Sequence, residues 1–295
     1  MTVTQDPFVT NRGLLFTVAY EMLGSAVDAE DVVQETWIRW DAIGPSARSE
    51  VVDPRAFLVR MVTRKALDRL RANSRRREEY VGEWLPEPLL TAPDVAEDIE
   101  LAESVSFAML TVLETLTPTE RAVFILREVF DLPYGEIAEA VDKSVAAVRQ
   151  IAHRAREHVA ARRPRQEVSR TEQQEVVERF LAAVSGGDLQ GLLHALAPDV
   201  VLVADGGGIA QAVIHPIVGA KKVANLLRTF PKFGGGATIV PTTLNGAPGA
   251  MIVGLEDGHD TAITFLVGDR GITRIYAVRN PTKLTGVDVE ATLRR

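Results

Sequence analysis

Cysteine is absent from all 295 residues, which excludes a disulfide framework and any thiolate metal centre. No apolar run approaches the ~20 residues needed to span a bilayer. The opening MTVTQDPFVTNRGLLF has no basic stretch leading into an apolar one. A cytoplasmic protein without membrane contact is expected, and no motif calls for a metal or an organic cofactor. A net positive charge is missing too. The formal charge is −7, which argues against a protein that coats nucleic acid indiscriminately, because phosphate neutralisation needs clustered cations.

What is present is unevenly placed. Hydrophobic residues make up 46% of the chain, enough for two or three domains with cores of their own. Between residues 55 and 77 stand Arg55, Arg60, Arg64, Lys65, Arg69, Arg71, Arg75, Arg76 and Arg77 against the single acid Asp68, whereas 83–139 is strongly acidic. Local basic surfaces on an acidic body point to targeted contact with nucleic acid.

The stretch from Pro118 to Arg163 reads as a helix-turn-helix. Val145, Val148, Ile151, Ala152, Ala155 and Val159 recur at helical spacing and are expected on one buried stripe. The outer face is left to Ala146, Ala147, Arg149, Gln150, His153, Arg154 and Arg156, small or donor-rich side chains suited to a DNA groove, and Lys143 precedes it. Ser144 stands where its hydroxyl can cap the helix start. Tyr134–Val141 is a short amphipathic helix ahead of it, and Asp142-Lys143 is the whole connection. The plainer alternative is a small three-helix packing unit; the basic outer face, continuing into Arg162, Arg163 and Arg165, favours DNA.

Upstream, residues 8–23 form an apolar helix closed by Gly24. A second begins near Asp28 and places Val33, Trp37 and Trp40 inward, with Asp31, Gln34, Glu35 and Arg39 on the polar side. Residues 41–54 are expected to be loop. A third helix follows Asp53-Pro54, with Phe57, Leu58, Met61, Val62, Ala66, Leu67 and Leu70 buried and the arginines opposite. Like charges so spaced repel, and a polyanion offsets them; the plainer reading is a solvated face. Residues 80–100, with three prolines and many acids, read as an extended linker. Its bulky Trp84, Leu85 and Leu89 nevertheless imply that something packs on it.

DAEDVVQETWIRW at Asp28–Trp40, DPRAFLVRMVTRKALDRLR at Asp53–Arg71 and the later helix-turn-helix together resemble a bacterial RNA polymerase sigma factor of the extracytoplasmic-function group. That resemblance implies that Asp31, Gln34, Glu35 and Arg39 dock on the beta-prime clamp of core polymerase. It implies that Arg55, Arg60, Arg64, Lys65, Arg69 and Arg71 hold the promoter −10 element. Lys143, Ser144, Ala147, Arg149, Gln150, His153 and Arg154 would read the −35 element. Asp142 departs from the glycine expected in the turn.

About 130 residues remain beyond Arg165, a full domain by size. Helices at 171–185, 189–196 and 219–230 alternate with or precede strands at 200–204, 237–244, 250–255, 260–267 and 272–278, separated by turns such as Asn245-Gly246 and Gly268-Asp269. Helices followed by a run of antiparallel strands make an α+β unit. This order resembles the SnoaL-like, NTF2-like cone fold. Three motifs in sequence, Trp84-Leu85-Pro86-Glu87-Pro88-Leu89, Asp205-Gly206-Gly207-Gly208 and Asn280-Pro281-Thr282-Lys283-Leu284, resemble those of the sigma factors that carry such an extension. Ile209 and Thr282 stand where a basic and an acidic residue are expected.

The expected organisation is a region-2 helical domain at 1–79, a Pro-rich acidic linker at 80–102, a region-4 helix-turn-helix domain at 103–165 and a cone domain at 166–295. The resemblance implies a non-enzymatic transcription factor modulated in cis through its three motifs, without a dedicated anti-sigma factor. Two alternatives remain open. One is a cone-domain enzyme using Asp205 with His194 and His215; the other is a ligand-sensing regulator fused to a DNA-binding unit.

Overall fold

The computed structural model of the chain describes residues 6–92, 98–162, 168–233 and 236–295, with only the backbone of 74–78, 232 and 233. The side chains of Arg75, Arg76 and Arg77, and all of Arg163 and Arg165, lie outside the described residues. Helix α1 (Pro7–Leu23) starts at Asp6, whose carboxylate accepts the Phe8 amide, and ends at Gly24 with φ 65°. Helix α2 (Ala26–Ala42) begins two residues before the expected Asp28, because Ser25 caps the Asp28 amide. The supposed loop 41–54 contains a short helix α3 (Pro45–Ser49), for which Pro45 supplies a preset first residue. Helix α4 (Pro54–Glu78) follows.

Beyond the linker come α5 (Ile99–Ser104), α6 (Phe107–Leu113) and α7 (Pro118–Phe124), the last opened by a Thr117/Glu120 capping box and continued as a π turn at Ile125–Val129. Helices α8 (Tyr134–Val141) and α9 (Val145–Arg162) are the expected pair. Asp142 between them adopts φ 56°, ψ 57°, the left-handed turn for which glycine was expected and which Asp tolerates.

One apolar cluster runs through α1, α2, α4 and α5–α9. The two helical domains therefore share a single core. Val59 and Thr63, outside the stripe expected for α4, are buried in this core as well, whereas Phe57 and Met61, expected inside, are only half-buried. Val145, expected inside, is 38% exposed; burial along α9 begins at Val148, one turn later.

The remaining domain comprises α10 (Arg170–Gly186), α11 (Leu189–Ala195), β1 (Leu196–Asp205), β2 (Ile217–Val218), α12 (Ala220–Leu227), α13 (Phe230–Phe233), β3 (Thr238–Leu244), β4 (Ala247–Val253), β5 (Thr261–Gly268) and β6 (Gly271–Val278), then a 3₁₀ turn at Pro281–Lys283. The strand order is β2-β1-β6-β5-β4-β3. β3 to β6 form the expected antiparallel meander, but β1 lies parallel to β6, because the chain crosses over through α12 before the meander begins. One sheet face packs on the helices, with Phe180 edge-on to Phe265 at 5.3 Å. On the other face a smaller cluster joins Leu244, Tyr276 and Val278 to Leu85 of the linker and Phe107 of α6. An α+β layer is thus clamped onto an all-α body, with the linker between them.

Candidate nucleic-acid interface and its internal cover

The basic side of α4 is occupied from within. The Arg60 guanidinium pairs with the Glu139 carboxylate of α8, and Arg64 donates to the Glu139 carbonyl at 2.7 Å. On α2, Glu35 pairs with Lys65 at 2.7 Å, and Asp31 with Arg69 at 2.7 Å. Lys65 holds the Glu35 carboxyl below its ordinary range. Arg55 and Arg71 are exposed, as are Gln34 and Arg39 on α2. The candidate polymerase face and the candidate −10 face are thus neighbouring helices whose opposite charges meet.

On α9, the Ser144 hydroxyl accepts the Ala147 amide at 3.2 Å, as the cap pattern predicts. Lys143, Arg149, Gln150, His153 and Arg154 are exposed, while Ala147 is half-buried. Arg149 lies over the Tyr134 ring at 5.7 Å, and Arg156 forms a two-pronged pair with Glu128 at 2.7 and 3.2 Å.

The three motifs converge on one buried knot. Asp205 ends β1, and its backbone carbonyl accepts the Arg279 and Asn280 amides, which ties it to the end of β6. Its carboxylate accepts the Tyr80 hydroxyl at 2.6 Å, the Leu85 amide at 2.9 Å, the Gly207 amide at 3.0 Å and the Lys283 ammonium at 2.7 Å. Lys283 also donates to the Leu85 carbonyl at 2.5 Å and sits over the Trp84 ring at 4.1 Å. Asn280 donates to the Tyr80 hydroxyl at 2.7 Å. Gly207 has φ 59°, and a Cβ there would overlap the Asn280 amide; Gly206 and Gly208 line the same turn. Thr282 closes on the Asn280 side-chain oxygen at 2.8 Å, Pro281 opens the 3₁₀ turn, and Leu284 packs at the seam. Burial, together with its bond to Asp205, pushes the Tyr80 phenol up.

From this knot the linker reaches the helical body. Pro86, Pro88, Leu85 and Leu89 are buried. The Glu87 carboxylate accepts the Ser25 hydroxyl at 2.7 Å and the Ala26 and Val27 amides at 2.6 and 3.2 Å, so it caps α2. Asn245 accepts the Leu89 amide and donates to the Tyr20 hydroxyl and the Val105 carbonyl. Thr91 adds to the edge of β3 at Thr243, and Ala291 of the tail adds to Leu90. Further along, Arg294 donates to Thr17 of α1 and Leu293 enters the helical core. Sequence reasoning missed Tyr20, Tyr80, Thr91, Asn245 and this tail. Only Asn245 carried a local signal, and that signal was for a turn.

A family profile for "Sigma-70 region 2" matches residues 8–76, and one for "Sigma-70, region 4" matches 106–159. The ECF RNA polymerase sigma factor SigJ of Mycobacterium tuberculosis is 38% identical over 295 residues, covering 95% of this chain and 92% of SigJ. The chain belongs to the ECF RNA polymerase sigma factors. A probable sigma factor SigI of the same species is 31% identical over 284 residues, covering 95% of this chain and 94% of its own. The crystal structure of SigJ superimposes with a TM-score of 0.76 at 33% identity, covering 95% of this sigma factor and 98% of that chain. The α+β extension of this sigma factor is thus part of the shared architecture.

Membership in this family identifies a transcription initiation factor. The acid-histidine constellation considered from the sequence is not assembled, because Asp205 is fully buried in the knot while His194 and His215 are exposed. No helix among the described residues is long and apolar enough to cross a membrane.

Proposed function

We propose that this sigma factor binds core RNA polymerase through the α2 face, contacts the −10 element with α4 and the −35 element with α9, and is restrained in cis by its own C-terminal domain. One observation carries the reading: Glu139 of region 4 holds Arg60 and Arg64 of region 2. A carboxylate and a carbonyl stand where DNA phosphates would have to bind, so α4 cannot take promoter DNA until α8 moves away. The cone domain supports closure by gripping the linker at Asp205 and Asn245, and the tail by gripping α1. Because a tethered domain acts at high effective concentration, individually weak contacts suffice. With the restraint built into the chain, the reading needs no dedicated anti-sigma protein.

The test is in vitro transcription with core polymerase, comparing the full chain with Glu139→Lys, which sets a cation against Arg60 and Arg64. Higher initiation by the variant at equal core binding in a pull-down is expected. Equal or lower initiation overturns closure as a restraint, and failure of the full chain to retain core polymerase overturns the polymerase assignment itself.

A further inference from the structure

A second titratable cluster lies at the seam between the region-2 and region-4 parts, away from both DNA faces. Glu21 of α1 is fully buried. Its Oε1 accepts the Ser104 hydroxyl of α5 at 2.7 Å, while its Oε2 is buried without a hydrogen-bond partner. Arg121 of α7, also buried, donates from Nε to the Glu21 carbonyl at 3.0 Å and pairs with Glu114 just beyond α6, and its Nη2 is likewise unpartnered. Tyr20 faces the cluster from α1 and donates its hydroxyl to the Glu87 backbone carbonyl of the linker at 2.7 Å. Two buried, half-satisfied polar groups therefore meet from opposite sides of one interface. Apolar residues would serve closure alone better, since unpaired buried polar atoms destabilise.

We propose that Glu21 is a proton-operated catch: its neutral carboxyl permits the closed arrangement, and its ionisation favours opening. Burial pushes the Glu21 carboxyl up to about 8, against the lowering effects of Ser104 and Arg121. Opening exposes it to water and returns it to its ordinary value of 4.5. Between those values the closed form binds more protons than the open one. Closure is therefore strongest in acid, weakens by up to about tenfold per unit rise in pH, and levels off above about 8. Glu87, also raised by burial, is a competing source of such a slope, whereas burial lowers Arg121 to about 9, so its contribution has the opposite sign and enters only at the top of the range.

The inference rests on the closed form having to open, and the experiment separates the two ideas. Because the chain has no native cysteine, Val9→Cys on α1 and Glu157→Cys on α9, both at exposed positions, accept a dye pair for energy transfer in the full chain. The ratio of open to closed molecules is followed from about pH 5 to about pH 9. The expected result is a rise of about tenfold per unit that flattens near the top of the range, lost in Glu21→Gln and kept in Glu87→Gln. If Glu21→Gln does not fold, by circular dichroism, Glu21→Met carries the same test. An unchanged slope in the Glu21 variant overturns the catch. Core polymerase added at fixed pH provides the second arm: opening by polymerase without any pH slope overturns the catch alone, and no opening under either condition overturns both ideas.

Discussion

The Lys283 ammonium lies 2.7 Å from the Asp205 carboxylate, both side chains are buried, and Tyr80, Trp84 and Leu85 of the linker close over the pair. The two charges belong to the cone domain, but their remaining bonds are largely to the segment joining the DNA-reading regions. A pair so placed makes the position of the linker part of the cone's own stability.

Removing one partner leaves the other charged and buried, so Lys283→Met should cost about 3–5 kcal/mol. Denaturant unfolding of the full chain measures the loss, and hydrogen exchange at the Leu85 amide reports release of the linker. Combining Asp205→Asn with Lys283→Met should cost less than the sum of the two. Strict additivity would show that they do not act as a pair.

Trp84 stacks on Lys283, and its ring also covers Gly24 at the end of α1. Trp84→Ala removes both contacts and should raise promoter activity in a core-dependent assay, with the helical content unchanged by circular dichroism. Unaltered transcription would count against a regulatory role for the linker.

Glu87 takes the free amides at the start of α2 and the Ser25 hydroxyl. Glu87→Ala should weaken that helix end by about 1 kcal/mol, the usual worth of a cap. Faster hydrogen exchange at Ala26 and Val27, with the far end of α2 unaffected, is the expected signature.

At Gly207 a side chain meets two obstacles, a positive φ of 59° and the Asn280 amide. Gly207→Ala should therefore lose more than the ~1–2 kcal/mol that left-handed backbone alone costs. Adding Asn280→Ala should recover the steric part in thermal unfolding, and no recovery would place the obstacle elsewhere.

Local chemistry was legible because it acts over a few residues. The end of α1 at Gly24, the Ser144 cap, the turn at Asp142 and most of the buried stripes of α1, α2 and α4 follow from spacing and side-chain type, although Trp37, Phe57 and Met61 are only half-buried. Where such reading failed, a partner from elsewhere in the chain had intervened. Val59 and Thr63 are buried because α4 sits within the shared helical core rather than on the surface of a lone unit, and β1 lies parallel to β6 because of a crossover that no strand pattern encodes. The motif residues from Trp84, Asp205 and Asn280 onward were visible as a set, although their geometry was not. Tyr80 meets Asp205 across 125 positions and Asn245 meets Tyr20 across 225, with nothing nearby to announce either pairing. Spacing and side-chain type were enough for α1, α2, α4, α8, α9, the main strands and the kinship, but not for α3, α5, α6 or β2. That regions 2 and 4 share one core and that Glu139 occupies Arg60 and Arg64 came only from how the whole chain packs. Periodicity specifies which face of an element is buried, whereas its partner is selected only when the whole chain packs.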